Sequence, residues 1–188
     1  MGPGQTARVV RHAGCAWTEV RIGDDFTECA LALGSNLGDR LENLQRSVAM
    51  LELKNVEKAP VFETEPVDCA PGTQPFLNTV IVARTDQSPE KLLESAQSVE
   101  RELGRPSNHG TNEPRTIDID ILFCGSHACL NPELTLPHPR LFQRRFVLEP
   151  LSLLRPDLLL PGRTLSVREE LEALESDEPP LRRMIDAW

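Results

Sequence analysis

The order of the hydrophobic patterns along the chain constrains its fold more than any single residue does. A short apolar run at Cys29–Leu33 predicts a strand that ends in a glycine-containing turn. Asp39 then provides a capping residue for a helix, because apolar side chains follow it at intervals of three and four. Two more strands are predicted at Val56–Thr64 and Phe76–Arg84.

A second helix and a fourth strand complete this pattern. Ser88 and Pro89 are typical of a helix start, and Gly104 is typical of its end. The stretch Thr116–Phe123 alternates as a half-buried strand does. The order strand, helix, strand, strand, helix, strand predicts an α+β fold. We expect a ferredoxin-like βαββαβ sandwich, an antiparallel sheet with helices on one face and the other face open for a site.

The remaining segments have weaker patterns and set the predicted domain boundaries. Residues 1–28 lack periodicity and are expected to form a flexible N-terminal extension, residues 29–175 the folded domain, and residues 176–188 a C-terminal tail. Within the domain, Arg144–Leu154 suggests a short strand and turn, and Ser166–Leu174 suggests a final amphipathic helix. With 188 residues, 39% of them hydrophobic, the chain can form one domain with a core.

Charge and cysteine usage limit the partners and the compartment. The net charge of -9 argues against nucleic acid or an anionic membrane surface, because both would be repelled. We find no apolar run of about 18 residues and no secretory signal pattern. The five cysteines contain no C-x-x-C pair, so neither a disulfide framework nor a zinc site is indicated, which favours the cytoplasm: Cys15, Cys29, Cys69, Cys124 and Cys129.

Two aspartates alternate with isoleucines in the last predicted strand. The two-residue period places Asp118 and Asp120 on one face, with their Cα atoms roughly 6–7 Å apart. Like charges repel each other there, so a cation is expected between them. Magnesium fits, since it needs only one or two carboxylates plus phosphates and water. A solvated strand face is the alternative, and this pattern alone leaves it open.

Basic residues strengthen the interpretation as a phosphate site. Arg115 precedes Asp118 by three residues, and a guanidinium can hold phosphate while carboxylates hold metal. Further positive charge could come from residues elsewhere in the sequence: Arg105, His138, Arg144 and Arg145. A structural role for His138 is the alternative.

Glycine-rich nucleotide motifs are missing from the sequence. Gly34–Gly38 does not match G-x-G-x-x-G, and no G-x-x-x-x-G-K-[ST] loop occurs. ATP would therefore have to be bound by side chains and the sheet surface. The segment Glu65–Pro75 is longer than a hairpin turn and could cover a ligand, although a plain connector is the alternative.

Taken together, these residues resemble the 6-hydroxymethyl-7,8-dihydropterin pyrophosphokinase family, over about residues 30–174. The resemblance lies in seven segments in the same order: Ala32–Gly38, Phe62–Pro66, Phe76–Asn78, Gln97 with Glu100, Gly104–Arg105, Pro114–Leu122 and Leu136–His138. It implies the ferredoxin-like fold, two magnesium ions, and ATP and a reduced pterin as substrates in folate synthesis, with AMP released.

The resemblance also implies a role for each site residue. Asp118 and Asp120 would hold both magnesium ions and, with Arg105 and Arg115, form the catalytic group. The residues implied to bind ATP are Gln97, Glu100, Arg105, Asn112, Arg115, Ile121, His138 and Arg144. The residues implied to bind the pterin are Thr64, Pro66, Val67, Phe76, Asn78 and Phe146.

The chain departs from the family pattern near the proposed ATP site. The departures are Ser107, Thr111, Asn112, Glu113 and Pro139. They leave open a catalytically impaired pterin- or nucleotide-binding module of the same fold. A metal-binding regulatory domain for another anionic metabolite is a further alternative, against which the presence of Asn78 beside both aspartates argues.

Overall fold

The computed structural model describes residues 26–66, 72–105, 114–176 and 180–188. Within these residues the expected order of strands and helices is present, and further elements follow it. The elements are β1 (Thr27–Ser35), α1 (Arg40–Met50), β2 (Lys54–Lys58), β3 (Val61–Thr64), β4 (Phe76–Thr85), α2 (Pro89–Glu102), β5 (Asp118–Cys124), β6 (Cys129–Leu130), β7 (Thr135–Leu136), a short 3-10 helix (Leu141–Gln143), α3 (Arg145–Leu154), α4 (Val167–Ala173) and β8 (Arg182–Ile185).

The main sheet is antiparallel, with the strand order β5-β1-β4-β3-β8, and β2 also pairs with β4. The predicted α+β, ferredoxin-like class is therefore confirmed. One strand prediction was too coarse, because Val56–Thr64 is divided between β2 and β3 around Pro60. A proline has no amide hydrogen for the ladder, so the two short strands pair separately with β4.

Helices α1 and α2 share one face of the sheet, as expected. The Asp39 carboxylate accepts a hydrogen bond from the amide of Glu42 at 3.0 Å, and Ser88 caps α2 with a proline at its first turn. Apolar side chains of the two helices pack on strand residues that point the same way. This core includes Leu31, Leu33, Leu44, Val48, Ile81, Leu92, Ala96, Val99, Ile119 and Ile121.

The opposite face is partly covered by α3 and α4, so it is less open than expected. The prediction of a short strand and turn at Arg144–Leu154 was wrong, since residues 145–154 form helix α3. Val147, Leu148 and Leu151 recur at helical spacing and are buried in the core on this face, which stabilises the helix despite Pro150. Strand residues of the same core include Ala30, Val80, Val82 and Leu122.

The C-terminal residues add an edge strand to the sheet. β8 pairs with β3, with Ile185 opposite Val61. The Trp188 indole donates a hydrogen bond to the Ala59 carbonyl at 2.9 Å, and the Lys58 ammonium lies 4.3 Å from the Trp188 ring centroid. Residues 180–188, which lie within the predicted tail, are therefore tied to the domain. Among the described helices, none is both long and apolar enough to cross a membrane.

We predict that Trp188→Ala lowers the free energy of unfolding by about 1–3 kcal/mol, because a partly buried ring and its hydrogen bond are lost. Trp188→Phe, which keeps an aromatic ring without the N–H donor, should lie between wild type and the alanine variant. Urea unfolding followed by far-UV circular dichroism measures both variants. A midpoint for Trp188→Ala equal to that of wild type would show that the C-terminal contact contributes no stability.

Candidate active site

Alternation along three adjacent strands brings the candidate residues to one face. In β5 Asp118 lies opposite Gly34 and Asp120 opposite Ala32, while Asn78 of β4 lies opposite Gly34 on its other side. Directly opposed residues point to the same face of a sheet. The two carboxylates and the amide of Asn78 therefore lie on the face that α3 and α4 only partly cover.

Two arginines converge on Asp118. Arg105 donates from Nη1 to Oδ1 of Asp118 at 2.6 Å, and Arg115 donates from Nη1 to Oδ2 at 2.8 Å. The arginine side chains are 11% and 18% exposed, so these charge-assisted bonds are largely screened from water. Their guanidinium groups are thus directed at the edge of the sheet where the carboxylate lies.

Glu100 fixes Arg105 from the end of α2. Its carboxylate pairs with Arg105 and also accepts a hydrogen bond from the Ile119 amide at 2.8 Å. Burial raises the pKa of Glu100 to about 7, against the opposing effect of Arg105. Within the described chain the Nε atom of Arg105 is buried and has no hydrogen-bond partner. This leaves Arg105 one donor that an anionic ligand could satisfy.

Asp120 lies near basic side chains of the segment after β7, namely His138, Arg140 and Arg144. Burial and the negative charge of Asp118 raise the pKa of Asp120, while His138, Arg144 and Arg140 act in the opposite direction. The His138 amide donates to the Leu122 carbonyl at 2.9 Å, which holds His138 beside β5. Burial lowers the pKa of His138, and the nearby Asp120 carboxylate opposes this effect. Arg140 was missed by the sequence analysis, although its position two residues after His138 was a usable signal.

The predicted pterin residues meet at the other side of Gly34. The Asn78 amide donates from Nδ2 to the Thr64 hydroxyl at 2.7 Å, and Asn78 is 8% exposed. Gly34 makes room for this arrangement, because a Cβ atom built there would lie 2.6 Å from Oδ1 of Asn78 and 3.8 Å from the Phe76 ring. Thr64, Phe76 and Asn78 therefore form a polar and aromatic group around a glycine.

We predict that Gly34→Ala raises the apparent KM for the pterin that the resemblance implies by about tenfold or more, since the new methyl group must displace the Asn78 amide. The apparent KM for ATP should change little. Steady-state kinetics with each substrate varied in turn measures this difference.

The matched control is the same substitution made in an Asn78→Ala background. With the amide gone there is nothing left to displace, so Gly34→Ala should add little to the loss already caused by Asn78→Ala. Equal penalties in both backgrounds would contradict the proposed steric route.

The other predicted site residues are placed in different ways. Gln97 is exposed on α2, and the Ile121 side chain is buried in the core under the helices, which leaves only its backbone for a ligand. The Arg144 guanidinium lies 5.2 Å from the Phe146 ring centroid, Pro66 lies just after β3, and Arg145 pairs with Glu149 at 3.7 Å. Val67, Ser107, Thr111, Asn112 and Glu113 lie outside the described residues.

The donor set fits a magnesium site that substrate phosphates would complete. Asp118 and Asp120 would supply the oxygen ligands. Burial and the negative charge of Asp118 raise the pKa of Asp120. Among the described residues, no group of three or more histidine, cysteine or acidic side chains is placed to hold a metal ion. Magnesium is usually bound by one or two carboxylates together with substrate phosphates and water, which two aspartates on one sheet face would allow.

Sequence comparisons give a consistent family assignment. The family model described as 7,8-dihydro-6-hydroxymethylpterin-pyrophosphokinase (HPPK) matches residues 30–156. The chain is 42% identical over 132 residues to the Porphyromonas gingivalis 2-amino-4-hydroxy-6-hydroxymethyldihydropteridine pyrophosphokinase, covering 67% of this chain and 89% of that protein. It is 38% identical over 129 residues to the Arabidopsis thaliana folate synthesis bifunctional protein, covering 67% of this chain and 26% of that protein.

Structural comparison supports the fold. The crystal structure of wild-type Plasmodium falciparum HPPK-DHPS with SDX-DHP superposes with a TM-score of 0.61 at 15% identity, covering 78% of this chain and 43% of that one. The chain thus spans only part of the bifunctional relatives, about a quarter of the Arabidopsis protein and less than half of the Plasmodium chain. It spans most of the Porphyromonas protein.

Proposed function

Because this chain belongs to the 7,8-dihydro-6-hydroxymethylpterin-pyrophosphokinase family, we propose that it transfers a pyrophosphoryl group from ATP to 6-hydroxymethyl-7,8-dihydropterin. The products are AMP and the pterin diphosphate, an intermediate of folate synthesis. The observation that carries this proposal is the shared sheet face, on which Asp118 lies between two arginines and the Asn78 amide lies across Gly34.

Arg105 and Arg115 hold the phosphate chain of ATP in this proposal. Both guanidinium groups already reach the Asp118 carboxylate, and Nε of Arg105 has a donor to spare among the described contacts. Planar guanidinium groups suit phosphate oxygens, which accept hydrogen bonds in pairs. On the family resemblance, Gln97, Glu100, Asn112, His138, Arg144 and the backbone of Ile121 complete the nucleotide site.

Asp118 and Asp120 are the proposed ligands of two magnesium ions. When bound, magnesium neutralises phosphate charge as a Lewis acid. Before it binds, Arg105 and Arg115 balance the charge of Asp118, and burial keeps the pKa of Asp120 raised. The aspartates would hold magnesium at the same edge of the sheet where Arg105 and Arg115 lie, so that positive charge would surround the phosphates.

The pterin lies on the Asn78 side of Gly34 in this proposal. An amide can accept a hydrogen bond from a ring N–H and donate one to a ring carbonyl, and the bond to Thr64 fixes the orientation of this amide. Phe76 and Phe146 would offer faces to the flat ring. On the resemblance, the backbone from Thr64 through Pro66 to Val67 completes the contact with the ring edge.

The reaction follows from this placement. The pterin hydroxyl oxygen attacks the β-phosphorus of ATP, a bond forms between them, and the bond from the β-phosphorus to the oxygen it shares with the α-phosphorus breaks. AMP leaves and the hydroxyl proton passes to solvent. The chain contributes alignment and charge stabilisation, and no side chain is assigned as an essential general base.

Analysis of the nucleotide products tests the proposed function. We expect that ATP, magnesium and the hydroxymethyl-dihydropterin give AMP and the pterin diphosphate in equal amounts, and that AMP formation stops when the pterin is omitted. ADP with a pterin monophosphate would indicate an ordinary kinase. Binding of both substrates without turnover would favour the catalytically impaired module.

We also infer a cytoplasmic location. The thiols of Cys29 and Cys124 are free and buried on adjacent strands, which favours a reducing compartment. Burial raises the pKa of Cys29 to about 12 and that of Cys124 to about 11, so both thiols remain protonated at neutral pH.

A further inference from the structure

Asn36 is a buried polar residue to which neither the composition nor the family resemblance gave a role. It follows β1 directly and is 1% exposed. Its side-chain Oδ1 atom accepts a hydrogen bond from the Arg115 backbone amide at 2.7 Å, and the Asn36 backbone amide donates to the Arg115 carbonyl at 3.1 Å. Its Nδ2 atom donates to the Gln74 carbonyl at 3.3 Å. One side chain therefore bonds two segments that are far apart in sequence.

These two segments carry residues proposed for different substrates. Arg115, which Asn36 holds through the backbone, places its guanidinium on Asp118 at the phosphate side. Gln74 lies two residues before Phe76, where β4 begins at the pterin side. Arg40 supports the same segment, since it donates to the Pro75 carbonyl at 2.7 Å and to Glu63 at 3.1 Å.

We propose that Asn36 is a positioning residue that fixes the phosphate-binding Arg115 and the pterin-binding start of β4 relative to each other. The inference rests on the proposed function, because the two segments matter together only if both substrates bind. Attack on the β-phosphorus requires the pterin hydroxyl and the phosphate chain to be aligned closely, so a small shift of either segment would reduce the rate.

The chemistry of an amide explains why asparagine stands at this position. Oδ1 must accept from an N–H group and Nδ2 must donate to a carbonyl, and only a planar amide offers both at this length. An aspartate keeps an acceptor for the Arg115 amide but sets a second acceptor against the Gln74 carbonyl. A leucine keeps the approximate volume and removes both hydrogen bonds. The two substitutions therefore separate the two halves of the contact.

The test compares Asn36→Asp and Asn36→Leu with Asn43→Ala as the matched control. Asn43 donates to the Leu37 carbonyl at 2.9 Å and to the Ser35 hydroxyl at 3.3 Å, so it supports the same turn without touching either substrate segment. We expect Asn36→Asp to raise the apparent KM for the pterin about tenfold and that for ATP by less than about twofold. Asn36→Leu should raise both and also lower kcat, while Asn43→Ala should change thermal stability with both KM values kept.

Hydrogen exchange of the Arg115 amide gives a readout that needs no substrate. We expect exchange to be roughly a hundredfold faster in Asn36→Leu than in wild type and nearly unchanged in Asn36→Asp and Asn43→Ala. If Asn36→Leu fails to fold, the aspartate variant still tests the pterin half through its two KM values. Equal changes of both KM values in Asn36→Asp, or effects no larger than those of Asn43→Ala, would overturn the proposal. Wild-type protein that forms no AMP would instead contradict the proposed function.

Discussion

Asp120→Asn is expected to lower the rate of AMP formation by about two to three orders of magnitude, because a proposed anionic metal ligand is lost. The same substitution should raise the melting temperature of the metal-free protein. Burial and the charge of Asp118 raise the pKa of Asp120 in the folded state. At pH values above the usual carboxyl pKa, Asp120 therefore binds a proton more readily in the folded protein than in the unfolded chain. The free energy of unfolding falls as the pH rises, because ionising Asp120 costs more in the folded state. Asparagine removes this cost.

Initial rates at saturating magnesium and melting curves in the presence of a chelator measure the two effects. Asp157→Asn is the matched control, because its carboxylate is 88% exposed and lies in a surface pair with Arg168. It should leave both quantities unchanged. Near-wild-type turnover in Asp120→Asn would remove Asp120 from the metal site and favour a solvated strand face.

Arg105→Lys is expected to reduce kcat/KM by about a hundredfold, although the positive charge is kept. Arg105 contacts Glu100 and Asp118 together and has an unsatisfied Nε donor among the described contacts. A lysine ammonium is a single point charge and cannot keep these contacts while also binding two phosphate oxygens. The loss should appear in both the KM for ATP and kcat, with the KM for the pterin affected less.

Steady-state kinetics of Arg105→Lys should be compared with those of Arg101→Lys. Arg101 lies on the last turn of the same helix and is exposed, so its replacement should change the kinetic constants by less than about twofold. If Arg105→Lys lowers thermal stability but leaves kcat/KM at the wild-type value, Arg105 is a structural ion-pair partner rather than a phosphate ligand.

Local periodicity predicted the core of the fold because its strands and helices are amphipathic. The alternation in β5 predicts Asp118 and Asp120 on one face, and the capping residues Asp39 and Ser88 mark both helix starts. The prediction of secondary structure failed where tertiary contacts, rather than the local sequence pattern, determine whether a segment forms a helix or a strand. α3 is a helix despite Pro150 because its apolar side chains pack on the second sheet face.

The C-terminal strand is a second example of structure that the local pattern could not supply. β8 has mostly exposed residues and no alternation, and its hydrogen bonds to β3 stabilise it.

The long-range contacts of the site could not be predicted from the local sequence pattern either. The side-chain amide of Asn36 bonds Arg115, which lies 79 positions away. No periodic spacing in the sequence relates two residues this far apart. Arg140 was within reach of sequence reasoning, but its approach to Asp120 depends on how the segment after β7 folds back.

The roles of the individual site residues rest on the resemblance together with this geometry. The structure brings Arg105, Arg115 and Asp118 together, and separately Thr64, Phe76 and Asn78 around Gly34. A chain with only one of these two groups could bind a nucleotide or a heterocycle. Their presence on one sheet face is what favours transfer between two bound substrates.

The most direct measurement is a crystal structure of the complex with magnesium, the hydroxymethyl-dihydropterin and an ATP analogue whose α- and β-phosphorus atoms are joined by a methylene group. That bridge cannot leave, so both substrates remain bound. We predict metal ions about 2.0–2.1 Å from carboxylate oxygens of Asp118 and Asp120. The pterin ring should be hydrogen-bonded to Asn78 with its hydroxyl oxygen facing the β-phosphorus. Phosphates held away from the Asp118 and Asp120 face, or a pterin that does not contact Asn78, would contradict the account.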